Sequence, residues 1–296
     1  QCLPNNTAGN NVAMGYHAAF TNTSGSSIVA IGNNALYANT TGGNNVAVGR
    51  SALEINSTGA NNIAVGAYSA YNNTTGYSNV AVGRSAAYAN TTGSENVSVG
   101  YQALKTNTTG VRMVAVGVNS LDANTTGSYS TAVGFGALTA NTTGASNVAL
   151  GNGAATNNTT GANNTAVGTV AMQNSVSCSN SVAVGRDSLY STTTSNYNIA
   201  IGYRTSFNGD QGANNVGIGA FALSQNTAAN LVAVGYSALE NNTSGHSNTA
   251  VGFEALEENT TGSNNSAFGN KALDSNTTGT HNTALGDQAM TDHTEG

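Results

Sequence analysis

Few side chains in this chain could carry out chemistry, and their spacing does not converge on a catalytic centre. The four histidines, His17, His246, His281 and His293, are scattered along the sequence. A metal site needs several ligands brought together, so these histidines read as solvated. No nucleophile–base constellation, phosphate loop or working carboxylate pair stands out. Glu257 and Glu258 are adjacent on what reads as an outward, solvated bend. The many Ala-Val-Gly triplets do not form the G-x-G-x-x-G fingerprint of a dinucleotide site. No enzyme and no cofactor is expected.

Other residue types recur in series. Asn-x-Ser/Thr sequons stand at Asn22, Asn39, Asn56, Asn73, Asn90, Asn107, Asn124, Asn141, Asn158, Asn242, Asn259 and Asn276. In a secreted protein such asparagines can accept glycans. Paired threonines (Thr40-Thr41, Thr74-Thr75, Thr108-Thr109) invite comparison with ice-binding surfaces, but adjacent threonines in a turn point different ways. Aromatic residues form two rows, one with Tyr16, Tyr101, Phe135, Tyr203, Tyr236 and Phe253, the other with Tyr37, Tyr71, Tyr88 and Tyr190. Rings in rows can stack on sugars, pack against a neighbouring protein, or cover the bends beneath them.

What must position all of these is a repeat. The glycine closing each Ala-Val-Gly-like triplet recurs from Gly15 to Gly286 at intervals of 17, with one interval of 16 into Gly235. A period this short and strict predicts an all-β parallel β-solenoid of about 17 coils, each stacked on the next at the ~4.8 Å strand spacing. No composition shift interrupts it, so residues 1–296 read as a single repeat domain.

Each coil can be numbered from its anchor glycine as zero. Positions −3 and −1 are mostly Val or Ile, while −4 and −2 are mostly Asn and Ala. This alternation identifies a two-faced strand. The Val face is expected to fill the coil. The Asn/Ala/Gly face either fills a narrow interior or lines a close approach to another chain. A second short strand is expected at Ala-Leu pairs such as Ala52-Leu53, followed by a turn at Asn-Thr-Thr-Gly. None of the 20 charged residues falls at −4 to 0, +3 or +4, which marks those positions as protected. Glycans on successive coils would be too crowded for all to be occupied, so the sequon series reads first as a turn and an Asn ladder.

The unit N-x-A-V-G-x-x-A-L-x-x-N-T-T-G is carried by Asn79-Val80-Ala81-Val82-Gly83, Asn248-Thr249-Ala250-Val251-Gly252 and the turn Asn124-Thr125-Thr126-Gly127. It resembles the tandem repeats of bacterial and phage tail-fibre-like proteins and the shorter V-A-I-G repeats of trimeric autotransporter adhesin heads. The resemblance covers essentially the whole chain. It implies a left-handed parallel β-roll, often trimeric, on an extracellular fibre. The adhesin heads use a shorter period, and no stalk coiled coil, membrane anchor or C-terminal chaperone domain is recognisable here.

Charged residues make up 7% of the chain and the net charge is −6. Nucleic-acid binding requires basic patches, so that partner class is excluded. No run of 18 apolar residues exists, so no membrane insertion is expected. The start at Gln1 reads as mature, any signal peptide having been removed.

Two functional classes remain. One is the subunit of a secreted, self-assembling filament built by head-to-tail stacking. The other is a trimeric adhesin head or tail fibre that binds surface glycans or receptors. Lack of a non-repeating tip favours the filament. A bare terminal coil is an unpaired edge that invites another chain. The chain opens on Asn6-Thr7-Ala8-Gly9 and closes on His293-Thr294-Glu295-Gly296, so Asn6, Gly9, Asn11, Thr294 and Gly296 are the expected end-to-end interface. Further copies of the chain, as homopolymer or side-by-side homotrimer, are the expected partners. Cys2 and Cys178 lie about ten coils apart, roughly 48 Å at one strand spacing per coil. A disulfide between them within one straight solenoid is excluded, and pairing between staggered chains or two free thiols stay open.

Overall fold

A computed structural model describes residues 1–210 and 212–292. The chain divides into two compact units, Gln1–Ser146 and Asn147–Gly296, and each is a parallel β-solenoid. The first carries eight three-residue strands, from β1 (Val12–Met14) to β8 (Thr131–Val133). The second carries nine, from β9 (Val148–Leu150) to β17 (Thr283–Leu285). There is no helix among the described residues. Strands pair in parallel with like on like: Val46 with Ile63, Ala47 with Ala64 and Val48 with Val65.

Backbone pairing continues around the coil beyond those three residues. In one representative coil Val46 N donates to Asn62 O (2.8 Å), Leu53 N to Ser69 O (3.0 Å) and Ser57 N to Thr74 O (2.9 Å). Gly49 N (2.7 Å) and Ser51 N (2.8 Å) donate the other way, to Ile31 O and Asn33 O. A thin coil has no other way to satisfy its polar backbone.

The Ala-Leu segment differs from the expected strand. It is two successive tight turns, closed by Ala52 N to Gly49 O (3.3 Å) and Asn56 N to Leu53 O (3.1 Å). Ser51 and Leu53 adopt φ of 58° and 50°. The turns let adjacent Ala52 and Leu53 both point inward, which the two-residue period of a strand forbids.

The strand also faces the opposite way from the reading that fills the coil with Val. Ala47, Ala64 and Ala81 are fully buried, whereas Ile63 and Val65 are 41% and 38% exposed. The interior is occupied by strand Ala, turn Ala-Leu and buried Asn, as in the cluster of Ala30, Leu36, Ala47 and Leu53. Two further branched side chains per coil have no room. The small face is the interior, so it is not available to line an approach to another chain.

The 16-residue coil keeps its register: β13 (Val216–Ile218) pairs with β14 (Val232–Val234) residue for residue. The missing residue is absorbed in the turn. Asn226 Nδ2 bonds Ala228 O (2.8 Å) and Ala228 N bonds Asn226 Oδ1 (2.9 Å), closing over Asn-Thr-Ala instead of Asn-Thr-Thr-Gly. Asn6-Thr7-Ala8 repeats this geometry, with Asn6 Nδ2 to Ala8 O at 2.6 Å.

At the anchor position two backbones meet without room for a side chain. Gly66 has φ +131°, and a Cβ there would lie 2.7 Å from the Gly83 carbonyl. Gly66→Ala should therefore lower the unfolding free energy by roughly 2–4 kcal/mol in urea denaturation. Gly136 has φ +64° with Thr139 Oγ1 at 3.4 Å as its nearest neighbour, and its equivalents in other coils include Asn34 and Asn119. Gly136→Asn should leave stability unchanged or raise it by up to about 1 kcal/mol.

Candidate functional site

The sequon asparagines form one wall of the interior. Asn39 Nδ2 donates to Gly42 O in its own turn (2.9 Å) and to Asn22 Oδ1 in the preceding coil (2.7 Å). Asn56 repeats the pattern with Gly59 O (2.9 Å) and Asn39 Oδ1 (2.8 Å). All twelve, from Asn22 to Asn276, are buried. The amide nitrogen that would carry a glycan thus lies inside the coil, and in the ladder it is hydrogen-bonded.

A second series stands opposite on the strand. Asn45 Nδ2 crosses to Gly59 O (2.7 Å), so that carbonyl accepts two amides. Asn45 Oδ1 accepts from Asn62 N in the next coil at 2.9 Å. The first hydroxyl of each Thr pair is also spent on stacking, as in Thr40 Oγ1 to Ser57 O and Thr91 Oγ1 to Thr108 O, each 3.0 Å.

Cys178 is buried as a free thiol and Cys2 is half-buried with Sγ 2.8 Å from Gly15 O. Burial pushes the Cys178 thiol pKa up, so cross-linking through it would require the turn to open. Of the expected end-to-end residues, Thr294 and Gly296 lie outside the described residues, as does His293. Asn6 Oδ1 accepts from Asn22 Nδ2 (2.7 Å) and so starts the interior ladder, while Asn11 Nδ2 reaches Gly25 O (2.9 Å). Gly9 has nothing within 4 Å of where a Cβ would stand.

The outward features are four. The first is the aliphatic face formed by positions −3 and −1, with Ile63, Val65, Ile199, Ile201 and Ile218 all exposed.

The second is the aromatic rows, whose rings meet coil on coil, some stacked and others edge to face. Tyr71 and Tyr88 are 5.2 Å apart and parallel within 6°. Tyr203, Phe221, Tyr236 and Phe253 form a run with centroid spacings of 5.4, 5.8 and 5.4 Å. His17 is half-buried against Tyr16 and Phe20 at 3.8 and 4.6 Å, not solvated as its sequence context suggests. His246 and His281 are exposed. Among the described residues no three His, Cys, Asp or Glu are grouped to hold a metal ion.

The third is an acidic column. Glu257 is not simply solvated: partial burial, and then Glu254, Asp274, Glu240 and Glu258, push its pKa up to about 7. Lys271 answers part of this charge, 2.6 Å from Glu254 and 3.7 Å from Asp274.

The fourth is a shallow groove of about 210 Å³ lined by Tyr77, Ser94, Glu95, Val111, Arg112 and Tyr129. Arg112 Nε meets Glu95 Oε2 at 2.6 Å, and its guanidinium carbon lies 5.9 Å from the Tyr129 ring centre. Sequence reasoning by residue type passes over this groove. Its signal is departure from the repeat, since position −5 elsewhere is usually Asn or Ser.

The sequence matches no protein-family model and no curated protein. The likeness to tail-fibre and adhesin-head repeats therefore rests on the motif and the stacked coils.

Asn56→Asp replaces two buried donations with a buried carboxylate and should cost roughly 3–5 kcal/mol of stability, read by urea unfolding. Protein recovered folded from a glycosylating host should show unmodified peptide masses at all twelve sequons. Glu257 binds its proton more tightly folded than unfolded, so its stabilising contribution is complete below its ordinary value of 4.5 and is lost as pH rises through about 7. Thermal unfolding should therefore move to lower temperature between those limits, and Glu257→Gln should flatten that part of the profile.

Proposed function

We propose that this chain is a structural protein of an extracellular fibre whose copies pack side by side through the outward aliphatic face. The observation that carries the reading is the pair of outward columns at −3 and −1, mostly Val or Ile. They are half-buried in most coils, as in Val46 and Val48, and exposed in others, as in Ile63 and Val65. Contiguous apolar rows on a protein surface mark contact sites. A column with the ~4.8 Å coil rise is complementary to another of the same rise, and a second copy has it by construction. Charge is too sparse along this face to oppose the contact, since no charged residue occupies −4 to 0. The small Asn/Ala/Gly face is spent on the interior, so a lateral homotrimer of the kind the repeat resemblance implies would use the aliphatic face. The extracellular setting follows from that same resemblance.

The test is the mass of the native particle against the 29.4 kDa chain by light scattering. The wild type should run as a multiple of that mass. Val80→Lys with Val82→Lys should release monomer while the far-ultraviolet circular dichroism stays unchanged. A wild type that remains monomeric at the highest attainable concentration would overturn the reading.

A further inference from the structure

We propose that the groove framed by Tyr77 and Tyr129 is a binding site for an uncharged pyranoside, a sugar subsite built into the wall of the first unit. In a repeat protein the fold itself shows which residues it needs at each position. At position −5 the backbone is left-handed, and the chain answers with Asn or Ser in most coils, including Asn44, Asn61, Ser78 and Ser146. Asn tolerates that conformation better than most residues.

Five coils break the rule; Tyr197 and His281 do so singly, whereas Glu95, Arg112 and Tyr129, held at φ of 60°, 56° and 62°, do so in three consecutive coils. The neighbouring −6 position is usually Gly, Ala or Ser, yet Tyr77 and Val111 occupy it in the same stretch. The stacking hydrogen bonds do not require these side chains: Glu95 N bonds Tyr77 O (3.0 Å) and Arg112 N bonds Ser94 O (3.1 Å), as any residue there would. Large, costly departures from the repeat that fall together on one surface, where they gain no burial, point to a ligand.

The chemistry of the five side chains selects the ligand class. Tyr77 and Tyr129 are 50% and 55% exposed and line the groove. The Arg112 guanidinium lies over Tyr129, 5.9 Å from its centre, so Tyr77 and the side of Tyr129 turned away from Arg112 are the faces on which the C–H side of a sugar ring can lie. Between them the Arg112–Glu95 pair is neutral overall, so it does not select a charged ligand. Arg112 turns Nε to Glu95 Oε2 and part of its guanidinium to Tyr129, and its fork of five N–H donors exceeds those two contacts. Planar donor and acceptor groups side by side match the vicinal hydroxyls of a pyranose. Val111 supplies an apolar wall. At about 210 Å³ the groove is below the ~300 Å³ at which pockets for larger ligands begin, and it suits a single ring with its chain continuing into solvent.

The inference is independent of the proposed lateral assembly, because the groove lies at positions −6 and −5, before the strand. Saturation-transfer NMR with the methyl glycosides of glucose, galactose, mannose and N-acetylglucosamine tests it. At least one glycoside should receive saturation from the wild type. Its affinity should fall at least about tenfold in Arg112→Asn and in Tyr129→Asn. The combined variant Tyr77→Ser, Glu95→Asn, Arg112→Asn, Tyr129→Asn restores the repeat pattern, so it should keep its circular dichroism and particle mass while binding disappears. No transfer to any of the four glycosides would overturn the proposal, and so would undiminished binding in the combined variant. A change of particle mass in that variant without sugar binding would make the groove a protein contact instead.

Discussion

The interior of a 17-residue coil is narrow, with room for Ala, Leu and amides but not for the strand's Val columns as well, and this constraint governs the rest of the molecule. One short strand and the turns close around Ala, Ala-Leu and, in most coils, two asparagines. At −4 three coils bury a larger apolar side chain instead, Ile28, Met113 or Leu231. What the amides add is a bond to a turn carbonyl and another to an amide or backbone group of the neighbouring coil. The buried polar groups therefore stitch coil to coil, and the low dielectric of the interior makes each missing partner costly. The anchor glycine belongs to the same economy of space, since backbone meets backbone there directly.

Much of the architecture can be read from the chain. The period, the boundaries of the coil, the turn and the protected positions all follow from spacing and from where charge is absent. The in-register 16-residue coil follows from the shortened turn around Asn226. The side of the strand that faces inward does not follow. Both faces are free of charge, and hydropathy favours burying Val over Ala, so the usual criterion points the wrong way. What decides is volume, and the volume of the coil is fixed by turns whose left-handed residues, Ser51 and Leu53, carry no distinctive sequence mark. The sequon asparagines are legible by their recurrence at one coil position, which reads as a turn and an Asn ladder, and their amides form that ladder in the interior.

The groove was legible in principle but by a different rule. Residue type at Glu95, Arg112 or Tyr129 is unremarkable on a surface. Its meaning comes from comparison with Asn and Ser at the same place in other coils. The same comparison exposes the weak stretch of the second unit, where Ser175, Thr192 and Gly209 replace ladder asparagines and buried Thr192 Oγ1 is left without a partner. Acidic Glu257, crowded by Glu240 and Asp274 on successive coils, shows the cost of stacking like on like when the residue is charged.

The Asn-Thr-Ala closure has an evolutionary consequence. Because a turn can lose a residue while the strands on either side stay aligned, errors in gene copying at that loop are absorbed locally instead of propagating along the molecule. Duplication or loss of one whole unit leaves every neighbour with an equivalent partner. A lineage carrying this gene can therefore lengthen, shorten and recolour its surface by unequal recombination, with the interior amides rather than any single folding nucleus checking each new arrangement.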